Sequence, residues 1–407
     1  MELIDLKSLS YYLFVLIAFF IMNLCKGPES RKKVLAFLNL SFIVLLFYYR
    51  KKHLLLLFFF LGTNYLGILA LYKQRTNKFL TGLLIGISLI ALCFYKYSLV
   101  QSFFIAFFPL SASLLKPISF IGISFFSFKL ISLVVDTAQG KLKEKPDFFH
   151  YINYLLFFPC YLSGPLDRFD RFIQDANIST PLGAKETYLA VSRIIFGLFK
   201  KALIADSLYG LSIFGINNID LAQAPTSSLF LGSYLYAFVL YLDFSGYSDI
   251  AIGISRLLGI KTPENFNNPF MARNIQEFWN RWHISFIHWL RDYIYFPLQM
   301  FFIRIGFKNF VAIAAISYII TFVLAGIWHG DKSIYLWYGL CHGLALAAFQ
   351  VYSSQLPKLI GQERMQWYQK STMVRVLATL TTFHFFVFSL IIFIEKTAII
   401  KRIFSFL

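Results

Sequence analysis

Long apolar stretches separated by short polar ones dominate the hydrophobic pattern of this chain. The pattern predicts helical spans over residues 11–21, 34–49, 54–72, 79–95, 117–135, 148–162, 187–204, 228–246, 247–260, 307–327, 334–352 and 374–393. A full crossing needs about 20 residues, so the pattern predicts an all-α polytopic membrane protein with about 11 transmembrane helices. Prolines shorten several of these runs, which favours additional re-entrant and interfacial helices around a thin centre. Irregular backbone at membrane depth is tolerated only where protein or a water-filled cavity covers it, so we expect an internal cavity.

The pattern shows no internal repeat and no low-complexity linker. We therefore expect one integral-membrane domain over residues 1–407, with N-terminal spans in residues 1–100. The absence of a repeat argues against a transporter built from two related halves. A channel or transporter whose polar residues line a permeation path nevertheless stays open as an alternative.

Composition supports a membrane location. The 407 residues are 58% hydrophobic and 14% charged, with a formal net charge of +18. Basic residues stand between the apolar runs, as they do in multi-pass proteins of the cell membrane, where they face anionic headgroups. We therefore expect no nucleic acid partner. The four cysteines lack metal-ligand spacing, which predicts unpaired thiols, no disulfide framework and no metal site.

A polar, aromatic segment over residues 261–291 interrupts the apolar pattern. Asn274 and Glu277 have the spacing of a capping box, which predicts a helix that begins there and continues to Trp289. Glu277 and Arg281 lie four residues apart and therefore share a face. An interfacial anchor helix explains the tryptophans, but it does not explain Arg281 and His283 so close to the next apolar run.

His329 follows directly on the apolar residues 310–327, so we expect it at membrane depth. An ionisable residue there is by default a functional-site hypothesis. Asp243 and Ser245 lie just before a predicted helix break at Gly246, within residues 242–250. These polar groups either join neighbouring helices or contact substrate. Lys129 lies inside a predicted span, from which a long basic side chain can reach the membrane surface.

Two buried histidines would favour proton transfer. A neutral imidazole can accept a proton from a hydroxyl and return it to a leaving group, and burial keeps an imidazole neutral. The chain has neither a G-x-S-x-G nor an HExxH motif, and its sequence shows no Cys/His nucleophile pair. Direct transfer of an acyl group from an activated donor to a hydroxyl fits best, although histidine chemistry permits other reactions. By contrast, the glycine-flanked His342 is expected to be a packed structural histidine.

Several motifs resemble the membrane-bound O-acyltransferase (MBOAT) superfamily and occur in its order. They are GISFFSF at 122–128, DFSGYSD at 243–249, NFNNPF at 265–270, Arg281-Trp282-His283 and Trp328-His329-Gly330. The resemblance runs from about residue 117 to the carboxyl end and is strongest to the bacterial polysaccharide branch. Residues 140–144, 158–169 and 277–283 look like the DltB-type D-alanyl transfer proteins. Residues 293–298 instead resemble O-acetyltransferase relatives of the alginate type, so both donors stay open.

The resemblance implies helices ringed around a tunnel, with a catalytic core over residues 117–393. It implies His329 as catalytic residue and general base, and His283 in the tunnel that admits the donor. The substrate-binding residues would be Asn280, Arg281, Trp282, Trp328, Asp243 and Ser245. No tightly bound cofactor is implied, because the donor would be D-alanine held as a phosphopantetheine thioester on a carrier protein. The acceptor would be a hydroxyl of lipoteichoic acid or another polysaccharide, with a membrane-anchored helper protein as a further partner.

Overall fold

The computed structural model describes residues 8–107, 120–177, 182–215 and 224–394. Within these ranges the secondary structure is helical, apart from an isolated bridge between Phe266 and Trp282. The α-helices are α1 (Leu9–Leu24), α2 (Pro28–Leu46), α3 (Lys51–Lys73), α4 (Lys78–Lys96), α5 (Ser98–Phe107), α6 (Ile123–Ala138), α7 (Phe148–Leu156), α8 (Phe169–Ala176), α9 (Ala184–Leu198), α10 (Asp206–Tyr209), α11 (Thr226–Leu257), α12 (Ile275–Arg281), α13 (Ile284–Leu290), α14 (Phe296–Arg304), α15 (Phe310–His329), α16 (Ser333–Lys370) and α17 (Thr372–Phe393). Short 3-10 helices cover Phe158–Cys160 and Pro269–Met271, and π-helices cover Phe199–Ala205 and Arg291–Tyr295.

Six of these helices are long and apolar enough to cross a membrane: α3, α4, residues Ser227–Leu257 of α11, α15, α16 and α17. Large apolar side chains such as Phe59 and Phe79 are exposed on them, as expected for surfaces that face lipid. The shorter helices α1 and α5 are also apolar. The predicted all-α polytopic membrane architecture is therefore confirmed. The four cysteines are free, as expected.

Two predicted helix boundaries are wrong. The predicted spans 228–246 and 247–260 form the single helix α11, which continues through Gly246. A Cβ atom at Gly246 would lie 2.7 Å from the carbonyl oxygen of Gly197, so this glycine allows close backbone approach without breaking the helix. Conversely, the single helix predicted from Asn274 to Trp289 is broken into α12 and α13 at His283.

The chain divides into two compact units, Met1–Phe196 with Ser248–Pro263, and Gly197–Tyr247 with Glu264–Leu407. In the first unit, two buried asparagines bond to each other. Asn39 Nδ2 donates to Asn153 Oδ1 at 3.0 Å, and Asn153 Nδ2 donates to the Lys32 carbonyl at 2.8 Å. Lys129 is 3% exposed, and its Nζ donates to the carbonyl of Tyr154 at 3.1 Å instead of extending to the protein surface. That carbonyl lies in the last turn of α7, where a basic group complements the helix dipole.

The second unit contains every residue that the sequence proposed for the site. Its helices α15 and α16 pack closely through small residues. A Cβ atom at Gly326 would lie 2.8 Å from the Cα atom of Gly339. His342 is fully buried and its Nε2 lies 3.0 Å from Ser389 Oγ, which confirms the expected structural role of this histidine. The α15–α16 pair places His329 at the carboxyl end of α15.

Candidate active site

His283 occupies a strained turn between α12 and α13. Its backbone is left-handed, with φ 48° and ψ 47°, and Asn268 is the other non-glycine residue with positive φ in the described ranges. A left-handed conformation costs a residue with a side chain about 1–2 kcal/mol. Such a conformation persists only where surrounding contacts hold it, and it is frequent at functional sites.

The segment 265–267 supplies those contacts. The amide of Ile284 donates to the carbonyl of Asn265 at 2.9 Å, and the amide of Asn267 donates to the carbonyl of Arg281 at 3.0 Å. The isolated bridge between Phe266 and Trp282 lies between these two bonds. The NFNNPF motif therefore pairs with the chain on both sides of His283 and fixes its position.

The imidazole of His283 lies in an apolar environment. The side chain is 6% exposed, and its ring centroid lies 4.7 Å from that of Phe244 and 5.0 Å from that of Phe286. Burial lowers the pKa of His283 to about 3, and the nearby charge of His329 lowers it further. His283 is therefore neutral near pH 7, as the sequence predicted.

His329 differs from this expectation because its side chain is exposed. It is the last residue of α15, and Gly330 is the C-cap residue of that helix. Its ring contacts Trp328 at a centroid distance of 4.8 Å and Phe393 at 5.2 Å. The prediction of two buried imidazoles is thus correct for His283 and wrong for His329.

Aromatic rings connect the two histidines. The ring of His283 contacts Phe286, the ring of Phe286 contacts Trp328 at 4.8 Å, and Trp328 contacts His329. Residues from α13 and from the end of α15 therefore form one cluster that combines a buried neutral imidazole with an accessible one. Phe286 is not distinguished by any chemical signal in the sequence, because it is one of 49 phenylalanines.

The remaining proposed residues have varied surroundings. The Arg281 guanidinium pairs with Glu277 at 2.8 Å and donates to the Asn267 carbonyl at 3.2 Å, so it stabilises the segment before His283. Trp282 is buried and its ring stacks on Phe278 at 5.7 Å. The sequence-based pairing of Glu277 with Arg281 is confirmed, and Asn274 caps α12 through the Glu277 amide.

Asp243 and Ser245 lie on α11 within the second unit. Asp243 pairs with Lys201 of the π-helix Phe199–Ala205. The sequence did not suggest this partner, because the two residues are 42 positions apart along the chain. Ser245 is buried, and its hydroxyl has no hydrogen-bond partner among the described residues. The structure therefore brings Trp328 and both histidines together and gives Asp243 an ionic partner.

Asn280 lines a separate cavity of about 410 Å³. The other lining residues are Gln276, Trp279, Ile287, Leu290, Arg291, Tyr295, Phe296, Gln299, Tyr318, Thr321, Phe322, Leu346 and Gln350. The cavity has the size of a small-molecule site, and its apolar wall carries carboxamides and one guanidinium. Neither His283 nor His329 is among the lining residues. Its carboxamides come from α12 (Gln276 and Asn280), α14 (Gln299) and α16 (Gln350), and the sequence predicted Asn280 alone of these.

Comparisons with known proteins identify the family of this chain. Residues 1–394 match the family model of MBOAT, the membrane-bound O-acyltransferase family. A teichoic acid D-alanyltransferase of Bacillus subtilis (strain 168) is 35% identical over 286 residues, which cover 69% of each chain. A peptidoglycan O-acetyltransferase of Helicobacter pylori is 32% identical over 363 residues, which cover 79% of this chain and 63% of that one. A probable alginate O-acetylase of Pseudomonas aeruginosa is 36% identical over 228 residues, covering 56% of this chain and 42% of that one. The chain belongs to the membrane-bound O-acyltransferase family and is a multi-pass membrane acyltransferase.

Proposed function

We propose that the protein transfers D-alanine from a carrier-protein thioester to a hydroxyl of teichoic acid. The similarity to a teichoic acid D-alanyltransferase over 69% of both chains supports D-alanine as the acyl group and teichoic acid as the acceptor. The observation that carries the mechanism is the cluster in which rings connect neutral His283 to accessible His329. A large polymer can approach an exposed imidazole but not a buried one.

His329 is the general base in this mechanism. It removes the proton of the acceptor hydroxyl as the oxygen attacks the thioester carbonyl and forms the new ester bond. The carbon–sulfur bond then breaks, and the imidazolium returns the proton to the departing sulfur, which leaves as the free thiol of the carrier. General-base assistance of this kind contributes about 10²–10⁴-fold in rate.

His283 stabilises the negative charge that develops on the carbonyl oxygen. A neutral imidazole has one N–H donor, and a buried donor is more effective because water does not compete with it. We assign Arg281 to holding this segment in place, since its guanidinium already contacts Glu277 and the Asn267 carbonyl. Trp328, between Phe286 and His329, and Trp282 would line the path of the donor, and Asp243 and Ser245 that of the acceptor.

The cavity beside Asn280 is a suitable place for the donor arm. A phosphopantetheine arm carries amide groups, which match the carboxamides of Gln276, Gln299 and Asn280. The one guanidinium of the lining, that of Arg291, already pairs with Asp292 at 2.8 Å, so the amide groups carry this match. No tightly bound cofactor is needed, because the arm arrives with the carrier protein. Substitution of Gln299 by Leu should raise KM for the loaded carrier. If the Gln299→Leu variant bound a hydrolysis-resistant analogue of the donor with the parental affinity, this location would be contradicted.

An acidic carrier protein would dock on exposed basic residues. Lys143 and Lys145 are exposed in the segment between α6 and α7, whereas Lys201 already pairs with Asp243. We therefore favour residues 141–145 over Lys200 and Lys201 for docking. Complementary charge mainly accelerates association, so raised salt should weaken carrier binding. Binding that is insensitive to salt would contradict this surface. A membrane-anchored helper protein stays a separate proposal.

Donor preference distinguishes the two acyl groups. Parental membranes should transfer label from a D-alanyl-loaded carrier to teichoic acid, and should not transfer it from an acetyl donor. The second candidate is O-acetylation of a polysaccharide or peptidoglycan, which the peptidoglycan O-acetyltransferase relative favours. Transfer of acetyl label, with no transfer from the D-alanyl carrier, would refute D-alanylation and support this second candidate.

A further inference from the structure

The start of α13 is stabilised from outside the helix. The first amides of a helix lack partners within it, and usually the side chain of the N-cap residue accepts one of them. His283 is the N-cap residue of α13, and its side chain makes no such bond. The amides at the start of α13 therefore need an acceptor other than the His283 side chain.

Asn265 performs this task through two of its oxygen atoms. Its carbonyl accepts the amide of Ile284 at 2.9 Å. Its Oδ1 accepts the hydroxyl of Ser285 at 2.6 Å and the amide of Ser285 at 3.4 Å. Asn265 is fully buried, so water does not compete for these bonds. The first two residues of α13 are thus both bound by one asparagine from a different segment.

We propose that Asn265 is a positioning residue for His283, which it holds in the left-handed turn that directs the imidazole towards Phe244 and Phe286. The proposal uses the function proposed above only for the task of His283, and its first test does not depend on that function. Asn265 acts through the backbone on both sides of His283, because Ile284 and Ser285 follow it directly and Asn267 binds the Arg281 carbonyl before it.

The position of the imidazole determines its protonation. Phe244 and Phe286 present apolar rings to it, and His329 is the titratable group that acts on it electrostatically. If the turn relaxed, the ring would gain water and its charged form would become accessible. Loss of the Asn265 side chain should therefore change both the titration of His283 and the rate of transfer.

The test compares Asn265→Ala with the full-length parent, each labelled with ¹³C-histidine and solubilised in detergent. The His283 resonance, assigned by its loss in His283→Gln, should not titrate between about pH 5 and pH 8 in the parent. In Asn265→Ala it should titrate in that range. The kcat for D-alanyl transfer should fall by about tenfold or more with little change in KM, because misplacement of a catalytic group affects the chemical step.

Matched variants separate positioning from stability. Ser285→Thr keeps the hydroxyl that donates to Asn265 Oδ1 and should keep the parental titration. Asn153→Ala removes another fully buried asparagine, in the first unit, and should lower thermal stability without shifting the His283 titration. Asn268→Gly changes the neighbouring left-handed residue and should leave His283 unaffected. If Asn265→Ala does not fold, Ser285→Ala should still give a smaller shift in the same direction.

An unchanged His283 titration in Asn265→Ala, or in Ser285→Ala where the first cannot be purified, would overturn the positioning role. An equal shift in Asn153→Ala would also overturn it. A parent that transfers no D-alanine would refute the proposed function and leave the titration to decide the role of Asn265.

Discussion

The depressed pKa of His283 links the stability of the protein to pH. Burial first, and His329 second, lower this pKa from 6.5 to about 3. Between these two values the unfolded chain binds a proton at this position that the folded protein does not bind. Stability therefore rises with pH across this window and is fully present above the unfolded pKa. It is lost as pH falls below about 6.5.

The size of the effect follows from the two pKa values. One pKa unit corresponds to about 1.4 kcal/mol, so His283 should destabilise the folded protein by about 2 kcal/mol at pH 5 relative to pH 8. The full difference, on the order of 5 kcal/mol, would be reached only near pH 3.

Thermal unfolding of the detergent-solubilised protein measures this contribution. The midpoint should be recorded from pH 8 to pH 5 for the parent and for His283→Gln, which cannot titrate. Any other pH-dependent group affects both proteins, so the difference between the two curves isolates His283. The parent should lose more stability than the variant as pH falls. Parallel curves would refute the inference that His283 is buried and neutral.

Three further predictions concern packing, buried polarity and charge. Gly246→Ala should lower the midpoint of thermal unfolding, because the added Cβ would lie within 3 Å of backbone atoms. Gly86→Ala in α4 places its Cβ in open space and should be neutral or stabilising. Equal midpoints for the parent and Gly246→Ala would contradict the close packing at Gly246. Lys129→Met should cost about 1–3 kcal/mol in chemical unfolding, because it leaves the buried carbonyl of Tyr154 without its donor; an unchanged unfolding midpoint would contradict it. Lys143→Glu should slow carrier association at low salt but not at high salt, as measured by stopped-flow binding; parental association at low salt would contradict docking there.

The apolar pattern predicted correctly those spans that are single continuous apolar runs. Helices α3 and α4 match their predicted ranges closely because each is a continuous apolar run between basic residues. The pattern could not decide the effect of Gly246, since a glycine permits either a break or close packing. Only the neighbouring backbone at Gly197 shows that packing prevails here.

The site was predictable in its residue types but not in its geometry. The motifs identified both histidines and the NFNNPF segment, yet the aromatic periodicity ran through residues 278–289 and concealed the break at His283. That break depends on Asn265, a tertiary contact that no local propensity reports. The depth of His329 was inferred from the apolar run before it, whereas its exposure depends on where α15 ends.

Single-turnover transfer of D-alanine in proteoliposomes tests the role of His329 most directly. The parent, His329→Ala and His384→Ala should be loaded with the same D-alanyl carrier and teichoic acid acceptor. His384 is an exposed histidine on α17 whose Nδ1 lies 2.7 Å from the Leu380 carbonyl, so it controls for loss of a surface imidazole. We expect His329→Ala to lower the rate by about 10²-fold or more, while carrier binding and the rate of His384→Ala stay parental. A parental rate in His329→Ala would contradict it.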